Sequence, residues 1–243
     1  GRALNSDEVV CLDAVIDNTT LKVATGWVDG TVRIFDVLDD GNNSEKVVAH
    51  SLLEDPSDFL QRESLVLKGH DNPVRIVVFD KAARLASAGS NGTIILWDVV
   101  AESGLFRLVG HRAGITDLSF VDEFVISCSW DGLVKVWDLS AQCCTQTIAN
   151  HHGPVGAGVY RKLFDDKRWR RSWGNDGQVR VWSVNTENKS DDDLCEFMGT
   201  LIPPPNVAIS NEKVSCIQFH GRLVGILHTN SKNVDIYLAR STQ

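Results

Sequence analysis

The 243-residue sequence lacks the features of several functional classes. No apolar run approaches the roughly 20 residues that a membrane-spanning helix needs, and no glycine-rich phosphate-binding loop occurs. The six cysteines include no Cys-x-x-Cys pair, which disfavours a zinc site or a disulfide framework. We therefore expect no membrane contact, cofactor, metal or small-molecule substrate, and we interpret the cysteines as reduced thiols.

The chain also lacks an excess of positive charge. It carries 24 Lys and Arg against 32 Asp and Glu, which gives a net charge of −8. Because phosphate binding needs clustered cations, a surface that coats nucleic acid in general is disfavoured, although one local basic patch is compatible with this charge. The single methionine is Met198, and we expect the chain to be a fragment of a longer protein.

What the sequence does contain is a repeat. Trp-Asp dipeptides begin at Trp97 and Trp137, and degenerate copies begin at Phe35 and Trp182. Six residues before each of these aromatics stands a turn residue followed by glycine: Asp29, Asn91, Asp131 and Asp176. Four residues before each turn residue stands a hydroxyl residue: Thr25, Ser87, Ser127 and Ser172. Further upstream a histidine recurs: His70, His111 and His151.

This repeat predicts an all-β fold. Asp-Gly and Asn-Gly pairs between short apolar runs predict hairpins, so each repeat forms a small antiparallel sheet. One such sheet cannot bury its own faces, whereas stacking sheets around an axis buries both. We predict a β-propeller arc with five countable blades, as part of a ring of about seven. The predicted blades are residues 1–36, 63–98, 105–138, 144–183 and 211–240, with acidic insertions at 37–62 and 184–210.

The repeated polar residues predict a hydrogen-bonded network in each blade. The turn carboxylate bonds the histidine, the histidine bonds the hydroxyl, and the hydroxyl bonds the indole. The predicted networks are complete in the third blade (His111, Ser127, Asp131, Trp137) and fourth blade (His151, Ser172, Asp176, Trp182), and weakened by Asn91 in the second (His70, Ser87, Asn91, Trp97). Because Phe35 replaces the tryptophan in the first blade, its network is expected to be broken.

Hydrolases use the same residue types as these networks. A catalytic triad, however, has no reason to recur blade after blade at fixed offsets. We therefore predict a structural role for all of these side chains, no catalytic residue and no enzyme activity.

Two tryptophans fall outside the repeat pattern. Trp27 and Trp130 stand two residues and one residue before the turn aspartate. A tryptophan at a hairpin tip is costly to leave in water and often anchors an interface. Both are therefore candidates for partner contact, and packing against a neighbouring loop is the alternative.

A basic segment interrupts the fourth repeat. Arg168, Trp169, Arg170 and Arg171 mix cations with an aromatic where the second and third repeats have apolar residues. Such a mixture could stack bases and hold phosphates. The alternatives are ion pairs with nearby carboxylates and a strand that faces another protein.

The repeat resembles that of the WD-repeat proteins. The segment LASAGSNGTIILWDVVAESGLFRLVGH (residues 85–111) is similar, more narrowly, to the large nucleolar WD-repeat subunits of the UtpB module in the small-subunit processome. The part from Trp97 to His111 is the most distinctive, and VKVWDLSAQCCTQTI (residues 134–148) continues the likeness.

This resemblance implies a non-catalytic scaffold of ribosome biogenesis in the nucleolus. Its implied partners are other protein subunits, with U3 small nucleolar RNA and pre-ribosomal RNA contacted indirectly or through a local basic patch. An adaptor of another complex, such as a substrate receptor of a ubiquitin ligase, is the alternative function. Direct RNA recognition by the blades is a third hypothesis.

Overall fold

The computed structural model describes residues 8–17, 20–38, 63–80, 83–149, 155–156, 168–174, 179–184, 195–201, 214–220, 223–228 and 234–238. Within these ranges the regular structure is entirely β-strand, which confirms the predicted all-β class. The same ranges contain no helix with the length and hydropathy needed to cross a bilayer.

The described strands form five antiparallel sheets, in which neighbours in the chain are neighbours in the sheet. Sheet 1 contains β1 (Val9–Asp17), β2 (Thr20–Trp27), β3 (Thr31–Leu38) and β4 (Glu63–Lys68). Sheet 2 contains β5 (Val74–Asp80), β6 (Arg84–Gly89), β7 (Ile94–Asp98) and β8 (Ser103–Leu108). Sheet 3 contains β9 (Ile115–Val121), β10 (Phe124–Ser129), β11 (Val134–Asp138) and β12 (Cys143–Ile148).

The last two sheets follow the same order. Sheet 4 contains β13 (Val155–Gly156), β14 (Arg168–Gly174), β15 (Val179–Val184) and β16 (Cys195–Leu201). Sheet 5 contains β17 (Val214–His220), β18 (Leu223–His228) and β19 (Val234–Leu238). The chain divides into two compact units, residues 1–110 with sheets 1 and 2, and residues 111–243 with the other three.

A tight turn joins the second and third strands of sheets 1, 2 and 3. In each turn the glycine N–H donates to the carbonyl three residues earlier, at 3.2 Å. These glycines, Gly30, Gly92 and Gly132, have φ values of 85°, 86° and 86°. That left-handed conformation is open to glycine because it has no Cβ, so the Asp-Gly and Asn-Gly pairs mark hairpins.

The sheets are offset by one strand from the predicted blades. The predicted blade 63–98 starts with β4, yet β4 pairs with β3 and completes sheet 1. In the same way β8 pairs with β7 and β12 pairs with β11. Without a fourth strand, the outer N–H and C=O groups of the third strand would lack partners. The next extended segment of the chain pairs with them before the following sheet begins. Each sequence repeat therefore gives its first strand to the preceding sheet.

A second difference concerns the predicted insertion at residues 184–210. Strand β16 lies inside it and pairs with β15 as the outer strand of sheet 4. Cys195 is buried, and the ring centroids of Phe197 and Trp182 are 5.1 Å apart. The surrounding aspartates and prolines hid this short segment in the sequence pattern. The other predicted insertion, residues 37–62, falls mostly outside the described residues.

The core of the first unit lies between sheets 1 and 2. Its buried side chains are Ala24, Val32, Ile34 and Leu67 from sheet 1 and Val74, Val77, Phe79, Ile95 and Trp97 from sheet 2. Two glycines allow the close approach. A Cβ on Gly26 would stand 2.6 Å from Val74 Cγ1, and one on Gly69 would stand 2.7 Å from Trp97 Cη2.

Polar contacts also join sheets 1 and 2. The Asp13 carboxylate accepts a hydrogen bond from the backbone N–H of Phe79 at 2.8 Å, and the Cys11 thiol donates to the Val74 carbonyl at 3.7 Å. Because Phe79 lies in β5, at the edge of its sheet, the aspartate satisfies a backbone group that no strand pairs with. Sheet 1 therefore both packs against sheet 2 and caps its free edge.

The second unit contains an equivalent core between sheets 3 and 4. Buried residues of sheet 3, among them Ile126, Cys128 and Val136, pack with Trp182 and Cys195 of sheet 4. The Gln146 side-chain amide spans the same two sheets. Its Nε2 donates to the Cys195 carbonyl at 2.9 Å, and its Oε1 accepts from the Cys195 N–H at 2.8 Å.

We predict that Gly69→Ala destabilises the protein by about 1–3 kcal/mol, because the new methyl group would overlap the buried Trp97 ring. Gly104→Ala is the matched control, since a Cβ there would stand 3.5 Å from the same ring, an ordinary contact distance. Urea unfolding followed by tryptophan fluorescence measures both. Equal midpoints for the two variants would contradict the close sheet-to-sheet approach.

Candidate functional site

The third repeat forms a closed polar network in sheet 3. The Trp137 indole N–H donates to Ser127 Oγ at 2.8 Å, and Ser127 Oγ lies 2.7 Å from His111 Nε2. The other ring nitrogen of His111 lies 2.8 Å from Asp131 Oδ2, which also accepts from the Arg112 N–H at 2.9 Å. The structure thus brings together all four residues that the sequence grouped in this blade.

Proton positions in this network follow from the pKa directions. Burial lowers the pKa of His111 below its usual value despite the nearby Asp131, so the ring is neutral at pH 7. Burial alone would raise the pKa of Asp131, but hydrogen bonds from the Arg112 backbone and from His111 outweigh it and lower the pKa. We therefore assign the His111 proton to Nδ1, donating to Asp131, and the Ser127 proton to the bond with His111 Nε2.

The second repeat forms the same network with one bond missing. Trp97 Nε1 donates to Ser87 Oγ at 2.7 Å, and Ser87 Oγ lies 2.7 Å from His70 Nε2. Asn91 instead uses its Oδ1 to accept from the Thr93 N–H at 3.1 Å. Among the described residues, His70 Nδ1 is buried with no hydrogen-bond partner. The network of the second repeat is therefore weakened, as predicted, and the missing bond is the one between Asn91 and His70 Nδ1.

The first repeat corrects two expectations. Trp27 was a candidate for partner contact, but it is buried, and its indole N–H donates to Thr25 Oγ1 at 2.8 Å. The Arg33 guanidinium lies 3.9 Å from its ring centroid and pairs with Asp29 at 3.1 Å. The Phe35 side chain has no N–H that could donate to Thr25. Trp27, two residues further along β2, supplies the side-chain N–H instead. The first network is rearranged rather than broken.

The fourth repeat is described only in part. Trp182 is buried in sheet 4 and contacts Phe197. Ser172 lies in β14, but its side chain, together with His151 and Asp176, falls outside the described residues. The predicted network of this blade stays a prediction.

The aspartate of each Trp-Asp pair has a role that the sequence argument missed. Asp98 Oδ1 accepts from the N–H groups of Val100 and Ala101, at 2.9 and 2.8 Å. Asp138 Oδ1 accepts from Ser140 and Ala141, at 2.7 and 3.0 Å. These carboxylates cap the turn that leads into the outer strand. The recurrence of Asp immediately after Trp was the signal that could have predicted the cap.

Apart from His70 Nδ1, the histidine, hydroxyl and indole groups of the networks in sheets 2 and 3 are hydrogen-bonded to one another. In the described ranges, no three His, Cys, Asp or Glu side chains form a group that could hold a metal ion. His70 and His111 each approach a serine, but the hydroxyl also accepts an indole N–H. The arrangement fixes strands in place and offers no open position beside the serine for a reacting atom.

Among the tryptophans whose side chains the structure describes, Trp130 is the one at the surface. Its side chain is 59% exposed at the tip of the β10–β11 hairpin. Three hydrogen bonds hold the backbone beneath it. The Trp130 N–H donates to the Gly114 carbonyl at 3.1 Å. The Ser129 hydroxyl donates to the Ala113 carbonyl at 3.0 Å and accepts from the backbone N–H of Asp131 at 3.1 Å. A large side chain on a rigid base loses little entropy when it binds a partner.

The basic segment lies in a central strand of sheet 4. Arg170 pairs with Trp182, as Leu85 pairs with Trp97, so Arg170 occupies in sheet 4 the register position that Leu85 has in sheet 2. Successive strand residues alternate between the two faces. Arg168 and Arg170 therefore occupy register positions of one face, and Trp169 and Arg171 those of the other. Their side chains lie outside the described residues.

Comparison with known proteins supports the repeat. The family model described as WD domain, G-beta repeat matches residues 61–98 and 103–138. The sterol regulatory element-binding protein cleavage-activating protein of Xenopus laevis is 36% identical over 118 residues, 49% of this chain and 9% of that protein. The DENN domain and WD repeat-containing protein SCD1 of Arabidopsis thaliana is 30% identical over 103 residues, 42% of this chain and 8% of that protein.

Structural comparison supports the fold. A chain in the crystal structure of the mitotic checkpoint complex is similar with a TM-score of 0.71 and 19% identity, over 98% of this chain and 63% of that one. The match of residues 61–98 and 103–138 to the repeat, the four-stranded antiparallel sheets and this structural likeness confirm the predicted fold class. Both matched segments begin near the outer strand of the preceding sheet, in agreement with the one-strand offset.

We predict that Asn91→Asp stabilises the protein by about 1–2 kcal/mol, because a carboxylate would give buried His70 Nδ1 an acceptor. The reverse change in the third repeat, Asp131→Asn, should destabilise the protein by a similar or larger amount, because it removes the carboxylate acceptor of His111 Nδ1. Thermal unfolding at pH 7 tests the pair. A loss of stability in both variants would rule out the missing acceptor at His70.

Stability should also fall as the solution is acidified. Burial is the main cause that lowers the pKa of His70 to about 4, from 6.5 for a free side chain. Between these values the unfolded chain binds the proton and the folded chain does not, so stability is complete above about pH 6.5 and declines towards pH 4. Asn91→Asp should flatten this decline by raising the pKa of His70. Urea midpoints measured from pH 4 to pH 7.5 that show the same slope in both proteins would contradict the assignment.

Proposed function

We propose that this chain is a non-catalytic protein-interaction scaffold of ribosome biogenesis, acting in the nucleolus within the small-subunit processome. Its partners would be other protein subunits, with U3 small nucleolar RNA and pre-ribosomal RNA reached through them. The likeness of residues 97–111 to the UtpB-module WD-repeat subunits supports this assignment. The match to WD40 repeats, whose serine side chains bond a histidine and an indole inside the sheets, supports the scaffold role on which the assignment rests.

The exposed indole on a rigid hairpin carries the interaction role. Trp130 combines 59% exposure with a backbone fixed by hydrogen bonds to Gly114 and, through Ser129, to Ala113. Arg112 is also exposed, and its backbone N–H is bound to Asp131 in the same turn. Tryptophan and arginine are the residues most enriched among those that dominate binding energy at protein interfaces.

Indirect contact with RNA is favoured over direct recognition. In β14, Arg168 and Arg170 occupy register positions of one face and Trp169 and Arg171 those of the other, so the four residues do not line up as one stacking platform. The net charge of −8 opposes a phosphate-binding surface in the rest of the chain. Protein partners, rather than RNA, are therefore assigned to the surface around Trp130.

We expect Trp130→Ala in the tagged full-length parent protein to lower its association with a large particle by about tenfold, since a central tryptophan often dominates binding. The measurement is gradient fractionation of a nuclear extract, with probes for the tag and for U3 RNA. Val100→Ala is the matched control, because Val100 is exposed but stands on sheet 2. Thermal unfolding of both variants separates a loss of binding from a loss of folding.

Three results would each change a different part of the proposal. Migration of the unsubstituted parent as a small complex without RNA would remove the ribosome assignment and bring an adaptor of another complex, such as a ubiquitin-ligase receptor, to the front. Migration of Trp130→Ala with the large particle at the normal level would keep the assembly and remove Trp130 from its interface. Loss of RNA alone in Arg171→Glu would favour direct RNA contact.

A further inference from the structure

The turn of the second repeat departs from the turns of the other repeats. The first, third and fourth repeats carry Asp-Gly, whereas the second carries Asn91-Gly92, which is the only Asn-Gly pair in the sequence. The pair lies at the tip of the β6–β7 hairpin, where Asn91 is exposed. Gly92 has no side chain that could shield its backbone nitrogen. An asparagine amide in this position is open to attack by the backbone nitrogen that follows it.

The third repeat shows what a carboxylate does at the same turn. Asp131 Oδ1 accepts from the Leu133 N–H at 3.0 Å. Asp131 Oδ2 accepts from the Arg112 N–H and lies 2.8 Å from His111 Nδ1. One oxygen of the carboxylate therefore holds the hairpin, and the other holds the histidine.

Asn91 performs only the first of these two tasks. Its Oδ1 accepts from the Thr93 N–H at 3.1 Å, as the equivalent oxygen does in the third repeat. Asn91 Oδ1 and His70 Nδ1 both border Gly89, since a Cβ there would stand 2.8 Å from the first atom and 3.0 Å from the second. The other atom of the amide, Nδ2, is a donor and cannot accept from a ring N–H. Among the described residues, buried His70 Nδ1 is thus left without a partner beside the side chain that should serve it.

We propose that Asn91 is a deamidation site, at which the exchange of the amide nitrogen for oxygen supplies the acceptor that His70 lacks. In the first step the Gly92 backbone nitrogen attacks Asn91 Cγ. The bond between Cγ and Nδ2 breaks, and the amide nitrogen leaves as ammonia with the proton from Gly92. In the second step water opens the five-membered succinimide ring, and the Gly92 nitrogen regains a proton. The reaction consumes only water.

The hairpin determines which product it can accommodate. Opening of the ring at Cγ gives aspartate and restores the ordinary backbone, so the Gly92 N–H can again donate to the Gly89 carbonyl, a bond of 3.2 Å. Opening at the backbone carbonyl gives isoaspartate, which lengthens the main chain by a methylene group inside a turn whose length is fixed by the pairing of Ala88 with Ile94. Isoaspartate can close the ring again, whereas aspartate is stabilised by its bond to His70. Aspartate therefore accumulates.

This inference gives the second repeat a property that changes with the age of the molecule. The newly made chain has an incomplete network in sheet 2, and conversion of Asn91 gives it the arrangement that Asp131 has in sheet 3. The inference goes beyond the scaffold role proposed above and does not depend on ribosome assembly, because its argument uses only contacts of the two hairpins.

The test is incubation of the freshly purified, folded chain at neutral pH and body temperature, with peptide mapping by mass spectrometry at intervals. We expect the peptide that contains Asn91 to gain the mass difference between NH2 and OH. Asp-N protease should then cleave before position 91, as it does before aspartate but not before isoaspartate. Asn72 is the internal control, because Pro73 has no backbone N–H and cannot form the ring. Asn91→Gln is the matched variant, because its longer side chain would have to form a larger ring, which closes more slowly.

Conversion should also change stability. The aspartate form carries an additional negative charge, so ion exchange separates it from the remaining asparagine form. At a fixed urea concentration its ratio of unfolded to folded protein should be about 5- to 30-fold lower than that of the asparagine form, and equal to that of Asn91→Asp. Asn91→Gln, incubated for the same time, should keep its initial stability.

Two outcomes would overturn the inference. A folded chain that keeps Asn91 intact, while a synthetic peptide of residues 84–98 deamidates under the same conditions, would mean that the hairpin blocks the attack. Isoaspartate as the dominant product, with a raised unfolded fraction, would mean that the reaction damages the turn and does not complete the network. Neither result involves RNA or the nucleolus, so failure here is separate from failure of the proposed function.

Discussion

The hydrogen bond from a tryptophan N–H to a strand hydroxyl is the interaction around which sheets 1, 2 and 3 are organised. It is formed at 2.8 Å by Trp27 and Thr25, at 2.7 Å by Trp97 and Ser87, and at 2.8 Å by Trp137 and Ser127. Burying an indole contributes a large apolar area but strands a donor unless an acceptor is supplied. The hydroxyl meets that need from the middle of the sheet, where water is excluded.

The polar groups that surround the tryptophan–hydroxyl bond differ among the three sheets. Sheet 3 extends it through His111 to Asp131 and on to the backbone of the neighbouring turn. Sheet 2 stops at His70. In sheet 1 the Thr25 hydroxyl donates to the Arg33 backbone carbonyl at 3.1 Å, and the Arg33 guanidinium stacks on the Trp27 indole and pairs with Asp29. The common requirement is that the donor is satisfied, and several polar arrangements meet it. This tolerance explains why a degenerate repeat still forms a regular sheet.

The sequence was sufficient for the parts of the fold that depend on local rules. Asp-Gly and Asn-Gly turns, the hydroxyl and the Trp-Asp pair have fixed spacings because hairpin register fixes them, and these elements were predicted. Trp27 was misassigned because its role depends on the loss of the tryptophan at position 35, a compensation across a hairpin that no single-strand pattern shows. The strand offset was missed because pairing of β4 with β3 is a non-local choice across residues 39–62, which no turn motif determines. The same holds for β16, whose partner decides that it is a strand.

The cost of an unsatisfied buried polar group also separates the residues that hold the sheets together from those that are free to vary at the surface. A side chain inside a saturated network is costly to change because its partners would be stranded. A side chain such as Trp130, carried on a turn whose own hydrogen bonds are complete, can be exchanged without disturbing that turn. The residue proposed for binding, Trp130, accordingly stands at a hairpin tip, where the repeat pattern leaves the residue type undetermined. That is why the repeat predicted the fold closely while the partner had to be inferred from a distinctive segment such as residues 97–111.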